Sequence, residues 1–437
     1  MDLQTERNER DVVYRKIGWR IIPFLMLCYV FAYLDRSNIG LAKIVLSKQL
    51  GFNEAVYGLG AGLFYLGYCL FEVPSNLLLK TMGGRSVFMR ITIAWGIVSS
   101  AFAFMSNREV FYILRFLLGI AEAGFFPGVL LYLTLWAPAG RRARLTAIFM
   151  SSMAFAGLIG GPLSGWLLTA TDGMAGLQGW QWMFLLEGVP ACLLGASTYF
   201  VLVDSPAKAH WLNDREREIV RCDLLADGLV GHPHTTFAAA LRDPKLYLLG
   251  AMSVALISGI GGISLWLPSI LHRAGITSIG RVGLLSSLPY AVAIISQQYV
   301  ARRSDRQRER RWHAAVPAIC GGLGWLMLPF VSSGPMVSLA FLTLAAAGTF
   351  GATGPFWSLP AVYLRGTAAA GGIAVITTFG GFAAFLSPLL VGWAAERTGS
   401  LAIGEYYYGA LLLLGACLLI VGTRHRSAAP SGQGVAA

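Results

Sequence analysis

The chain has 437 residues and a formal net charge of +12, yet only 13% of its residues are charged and 56% are hydrophobic. A soluble protein carries about a quarter charged residues, so this composition excludes a soluble enzyme and points to a helical protein that crosses a membrane repeatedly.

A membrane-crossing helix needs about 20 mainly apolar residues. Such stretches lie near 17–41, 55–79, 86–106, 110–136, 144–169, 180–203, 245–271, 281–301, 313–332, 335–361, 367–395 and 404–423. The first is longer than a signal-peptide core, and no small-residue cleavage site follows it. The largest polar insert, 204–244, divides the twelve spans into six and six. The expected organisation is therefore 1–203, a linker at 204–244 with a short amphipathic helix near 210–225, and 245–437.

Lysine and arginine concentrate on the side of a membrane that faces the cytoplasm. With both termini cytoplasmic, 26 of the 34 basic residues fall in cytoplasmic segments. Six, including Lys43, Lys48 and Arg273, fall in outward loops. The basic excess thus encodes orientation in a cell (inner or plasma) membrane, and a nucleic-acid partner is not needed to explain it. Six scattered cysteines without a C-x-x-C pair indicate neither a disulfide framework nor a zinc site. His232 and His234 form one H-x-H in a polar loop and are not read as a metal site. No cofactor is expected.

The two halves echo each other. The segment after span 2, "NLLLKTMGGRS" (76–86), and that after span 8, "ARRSDRQRERR" (301–311), are both tight and basic. Internal repeats of this kind occur in secondary transporters, whose substrate site lies near the midplane between them. Short cytoplasmic loops are commonly basic as well, so both explanations of the echo stand at this point.

Four charges lie inside apolar spans: Asp35 and Arg36 in span 1, Arg115 and Glu122 in span 4. A charge at a helix centre costs about 2.5–3.5 kcal/mol on insertion scales, so such residues tend to face a cavity. Arg115 and Glu122 are two turns apart and share one face. One acid and one base per helix suit proton-coupled anion transport: an acid that takes a proton releases its arginine to hold an anion. Fixed salt bridges joining the two helices are the other reading. Glu72 in "FEVPSN" reads as a packing or gating contact and Glu187 in "WMFLLEGVP" as a structural hydrogen bond. Tyr33 and Tyr68 are candidates for either substrate contact or interface positions. The prolines of "GPFWSLP" (354–360) predict a bent helix that aims Trp357 inward, against the alternative of a lipid-facing ring.

Taken together, "YLDRSNIGLA" (33–42), "LGYCLFEVPSN" (66–76), "RFLLGIAEAGFFPG" (115–128), "GGPLSGWLL" (160–168), "SDRQRERR" (304–311) and "GPFWSLP" resemble the major facilitator superfamily, and within it the anion:cation symporters. The resemblance implies an all-α fold of two six-helix bundles around a cavity that opens alternately to each side. It also implies proton-driven uptake of a small organic carboxylate by a protein that acts as a monomer in the lipid bilayer. By motif, Asp35 and Glu122 would carry protons. Arg36 would hold the carboxylate with help from Tyr33 and Tyr68, and Arg115 would partner Glu122.

The loop 76–86 departs from the superfamily pattern at Asn76, Lys80 and Thr81. Arg85 is then expected to form a weaker gate latch than Asp305 and Arg306. Sugar-acid members carry amides in spans 5 and 11 where this chain has Met153, Thr377 and Gly381. Fewer amides leave sugar hydroxyls unpaired, so an aromatic acid or a short dicarboxylate is expected, with Thr377 and Trp357 among its contacts. The run "GLIGGPLSG" (157–165) keeps a proton-driven efflux antiporter as the alternative, and a transporter-like sensor is a remoter one. No nucleophile–base spacing marks an enzyme.

Overall fold

The structure, a computed structural model, describes residues 3–229, 244–331, 334–363 and 367–422. His232, His234 and the C-terminal tail lie outside the described residues. Among the described residues, twelve helices are long and apolar enough to cross a membrane. They are Arg7–Gln49, Glu54–Leu79, Gly84–Phe104, Arg108–Thr134, Ala139–Ala170, Gly179–Val201, Pro244–Arg273, Ile279–Gln307, Arg311–Phe330, Pro335–Pro360, Val375–Thr398 and Ala402–Gly422, here spans 1 to 12. Among the described residues there is no strand.

Two spans differ from expectation. The helix of span 1 covers Leu3–Gln49, well beyond the apolar stretch at either end. Lys43 and Lys48 are therefore helical and not in an outward loop. Lysine, leucine and glutamine are good helix formers, so the helix continues past the point where hydropathy falls. Span 4 is broken into Arg108–Glu122 and Phe125–Thr134. Gly124 adopts φ +86°, a conformation that favours glycine. A Cβ there would also strike the side chain of Ser75 in span 2.

The two halves repeat one packing scheme. In the first half, span 3 packs on span 6, span 2 on span 4 and span 1 on span 5. In the second, span 9 packs on span 12, span 8 on span 10 and span 7 on span 11. The halves meet through spans 1 and 7, 2 and 11, and 5 and 8. Glycines allow this approach: a Cβ on Gly161 would lie 2.5 Å from the Gly283 carbonyl oxygen, and one on Gly58 would lie 2.9 Å from the Gly392 Cα. Gly157 likewise abuts the Tyr290 ring. The glycines of 157–165 thus permit close packing on span 8. All of these contacts lie in the part of the molecule away from the termini.

Candidate functional site

The intramembrane charges converge in the first six-helix bundle. Arg36 Nε donates to Glu122 Oε2 at 2.6 Å, with Glu122 fully buried and the Arg36 side chain 13% exposed. The Arg36 guanidinium sits over three rings, with centroids at 5.1 Å for Tyr68, 5.3 Å for Phe64 and 5.9 Å for Tyr29. Aromatic faces attract a desolvated cation, so this box compensates the arginine where water is scarce. Its remaining fork nitrogen Nη2 and the second Glu122 oxygen, Oε1, are buried without a hydrogen-bond partner.

Arg115 does not pair with Glu122. Seven residues along a helix separate Cα atoms by about 10 Å, too far for a direct contact on this face. Arg115 is buried, and its Nε donates to the Gly60 carbonyl at 3.2 Å. Its guanidinium lies 4.9 Å from the Phe64 centroid. Phe64 therefore contacts both guanidiniums and separates the paired arginine from the backbone-bound one. Span 2 can bring Phe64 this close because Gly119 of span 4 leaves room for the Phe64 carbonyl.

Asp35 is buried, accepts from Ser99 Oγ at 2.6 Å, and leaves Oδ2 unpaired. Among the described residues it has no ion-pair partner. Arg36 is adjacent in sequence, but neighbouring helical residues point about 100° apart, so the two side chains diverge. Glu187 accepts from Asn38 Nδ2 at 2.6 Å and from Ser164 Oγ at 2.7 Å, tying spans 1, 5 and 6 together. The interior of this bundle thus holds three carboxyl groups and two guanidiniums.

Tyr68 is at the Arg36 box, whereas Tyr33 is buried against the other half, facing Ser264 and Tyr290. A cavity of about 20 Å³ lies between the halves, lined by Asn38, Ser164, Ser264, Ser286 and Tyr290 among others. That is space for one water. Trp357 is half-buried with its ring 5.1 Å from Phe356, edge to face. Thr377 is exposed on span 11. One turn away, a Cβ at Gly381 would come within 2.8 Å of Cys69 Sγ, so a side chain there requires Cys69 to turn aside.

Of the three expected gate residues, Arg85 and Asp305 are engaged by partners near them in sequence or in the same half, and none of these contacts crosses between the halves. The backbone N–H of Arg85 donates to Asp204 at 3.1 Å, its Nε donates to the Tyr199 carbonyl, and its guanidinium stacks 3.5 Å from the Tyr199 ring centroid. Asp305 pairs with Arg310 at 2.5 Å, and Arg306 is exposed.

The charged contacts that join the halves lie at the opposite end, where sequence reasoning assigned only loops. Glu54 pairs with Lys43 at 2.5 Å and with Arg273 of the second half at 2.8 Å. Its backbone N–H donates to Glu396 at 3.1 Å, also of the second half. Lys43 is buried between the Trp266 and Tyr57 rings, at 4.5 and 4.9 Å. The missed signal was a basic residue two positions beyond the apolar stretch 17–41, with an acid opening the next helix.

A family model described as Major Facilitator Superfamily matches residues 25–388. The chain belongs to that superfamily. This major facilitator protein is 41% identical to a protein of Agrobacterium vitis provisionally named a tartrate transporter, over 94% of this chain and 91% of the relative. It is 39% identical to a quinolone resistance transporter of Acinetobacter baumannii, over 94% and 95% of the two chains. A crystal structure of a D-xylose–proton symporter shares the fold, with TM-score 0.73 and 16% identity over 92% of this chain and 97% of the other. The major facilitator protein is thus a multi-pass membrane transporter, not an enzyme.

Proposed function

We propose that the protein is a proton-coupled symporter of a small organic carboxylate, working by alternating access with both termini cytoplasmic. The observation that carries this reading is the buried Arg36–Glu122 pair with one unpaired donor and one unpaired acceptor left on it. A proton on Glu122 weakens its hold on Arg36. The guanidinium fork then matches a substrate carboxylate bidentately. Release of both restores the internal pair. Asp35, buried beside Ser99 without a cation, is the second proton-carrying acid. Arg115, held to Gly60 across the Phe64 ring, supplies positive field without competing for Glu122.

Among carboxylates, an aromatic acid or a short dicarboxylate is favoured over a sugar acid. The ring box of Tyr29, Phe64 and Tyr68 offers aromatic faces, and a side chain at Gly381 would have to displace Cys69 Sγ. Tyr33, Trp357 and Thr377 are the outer contacts in this reading. Arg85, Asp305 and Arg306 latch the end carrying the termini when it closes.

The resistance-transporter relative favours one second reading, proton-driven export. Vesicles with outward-facing orientation separate the two. Added substrate alkalinises the external medium in symport; acidification establishes the exporter. A thermal-shift panel of phthalate, tartrate and sugar acids identifies the cargo class, because a ligand that binds only the folded state raises its melting temperature.

A further inference from the structure

At the end of the molecule that carries the termini, spans 1 and 5 enclose a groove of about 1000 Å³, whose lining includes none of the Arg36 box residues and whose innermost residue, Met26, lies one turn from Tyr29 of that box. Trp19, Ile22, Met26 and Ile148 line its apolar part, and Arg15 and Arg144 stand on its rim. Trp19 is 77% exposed and Ile148 43%. Arg15 and Arg144 are both exposed, and among the described residues neither has an acidic partner. The groove's other arginine, Arg141, is already committed to Asp11 at 2.7 Å and to the Tyr14 ring at 4.6 Å.

Depth decides what such a groove faces. The apolar stretch 17–41 is centred near Tyr29, and a helix rises about 1.5 Å per residue. Trp19 then lies about 15 Å from the bilayer centre, at the edge of a hydrocarbon core about 30 Å thick. Arg15 lies about 21 Å out, in the headgroup layer. Tryptophan at the boundary with arginine just beyond it is the arrangement of a membrane interface.

We propose that this groove is a binding site for an anionic phospholipid. Its phosphate lies between Arg15 and Arg144, and an acyl chain runs along Trp19, Ile22, Met26 and Ile148. The charge match is with a phosphate at headgroup depth, and the long apolar lining matches a chain that a soluble anion lacks. Basic pockets between membrane helices recognise anionic headgroups in this way.

The test uses the purified full-length protein in uncharged detergent, titrated with brominated phosphatidylglycerol or brominated phosphatidylcholine of identical chains. Trp19 quenching is read as the difference from Trp19→Phe. Phosphatidylglycerol is expected to quench at a mole fraction at least about tenfold lower, each arginine contributing about fivefold. The preference should vanish in Arg15→Gln/Arg144→Gln at an unchanged melting temperature, and persist in Arg36→Gln. Equal quenching by the two lipids overturns the proposal, as does a preference that survives the double substitution or is lost in Arg36→Gln. Displacement of the lipid by millimolar inorganic phosphate or phthalate also overturns it, making the groove a soluble-anion site.

Discussion

Gly161 of span 5 and Gly283 of span 8 meet backbone to backbone, with no side chain between the two halves at that point. A Cβ on Gly161 would stand 2.5 Å from the Gly283 carbonyl oxygen, and backbone cannot yield as a side-chain tip can. Gly161→Val is therefore expected to fold but to leave the halves unable to close away from the termini. A cysteine placed at Ser37 should become reactive to a membrane-impermeant thiol reagent from that side, with transport reduced at least about tenfold. Wild-type transport by this variant would remove the contact from the working cycle.

Breaking the charged cluster at the same end acts in the same direction but more mildly. Glu54→Gln deprives buried Lys43 and half-exposed Arg273 of their acidic partner, leaving Lys43 with Ser269 and Arg273 with the Gly399 carbonyl. Stranding one member of a buried pair costs about 3–5 kcal/mol and an exposed pair about 0.2–1 kcal/mol. The expected outcome is a shift toward the state open at that end, read as faster labelling at the Ser37→Cys position. Adding Lys43→Met should recover most of the lost thermal stability, since it removes the stranded charge.

Asp35→Asn and Glu122→Gln test the proton-carrying acids. Accumulation against a gradient should be lost in both variants while exchange of labelled for unlabelled substrate partly survives, because Arg36 remains able to bind. The same accumulation as wild type in both would sink the assignment.

Arg36→Lys keeps the charge and discards the fork. A point charge replaces two parallel hydrogen bonds, and one charge-assisted bond is worth about 1.5–3 kcal/mol. Substrate affinity should fall at least about tenfold, measured by thermal shift or by exchange kinetics. Unchanged affinity would place the carboxylate elsewhere.

Glu187 separates charge from hydrogen bonding. Glu187→Gln keeps a side chain of the same shape that can still bond Asn38 and Ser164, whereas Glu187→Ala strands both. The alanine variant should lose about 1–3 kcal/mol per stranded group and the glutamine variant much less. Equal losses would mean that the charge itself holds spans 1, 5 and 6 together.

Hydropathy and charge made the twelve spans, the six-plus-six division and the four intramembrane charges legible, because all of these follow from one-dimensional spacing. Which base meets which acid did not follow. Arg115 and Glu122 share a face, yet an arginine on another helix reaches Glu122 more closely than one two turns away. The break at Gly124 was hidden because "EAGFFPG" is apolar enough to read as continuous helix; only the approach of Ser75 gives the glycine its reason. Lys43 was counted as a loop residue because its burial depends on Tyr57, Trp266 and Glu54, and the first two lie on different helices. Contacts between distant segments decide each of these, and periodicity carries no record of them.

The Arg36–Glu122 pair also bears on how the transporter responds to voltage. Both partners lie in the same six-helix bundle and are 2.6 Å apart, so their opposite charges travel together when that bundle tilts. A unit charge crossing the full membrane field exchanges about 2.3 kcal/mol per 100 mV, but a closed pair presents no net charge to that field. In the proposed cycle this pair therefore returns without electrical work, and the response to voltage falls to the charges that lack an ion-pair partner, Asp35 and Arg115 among them.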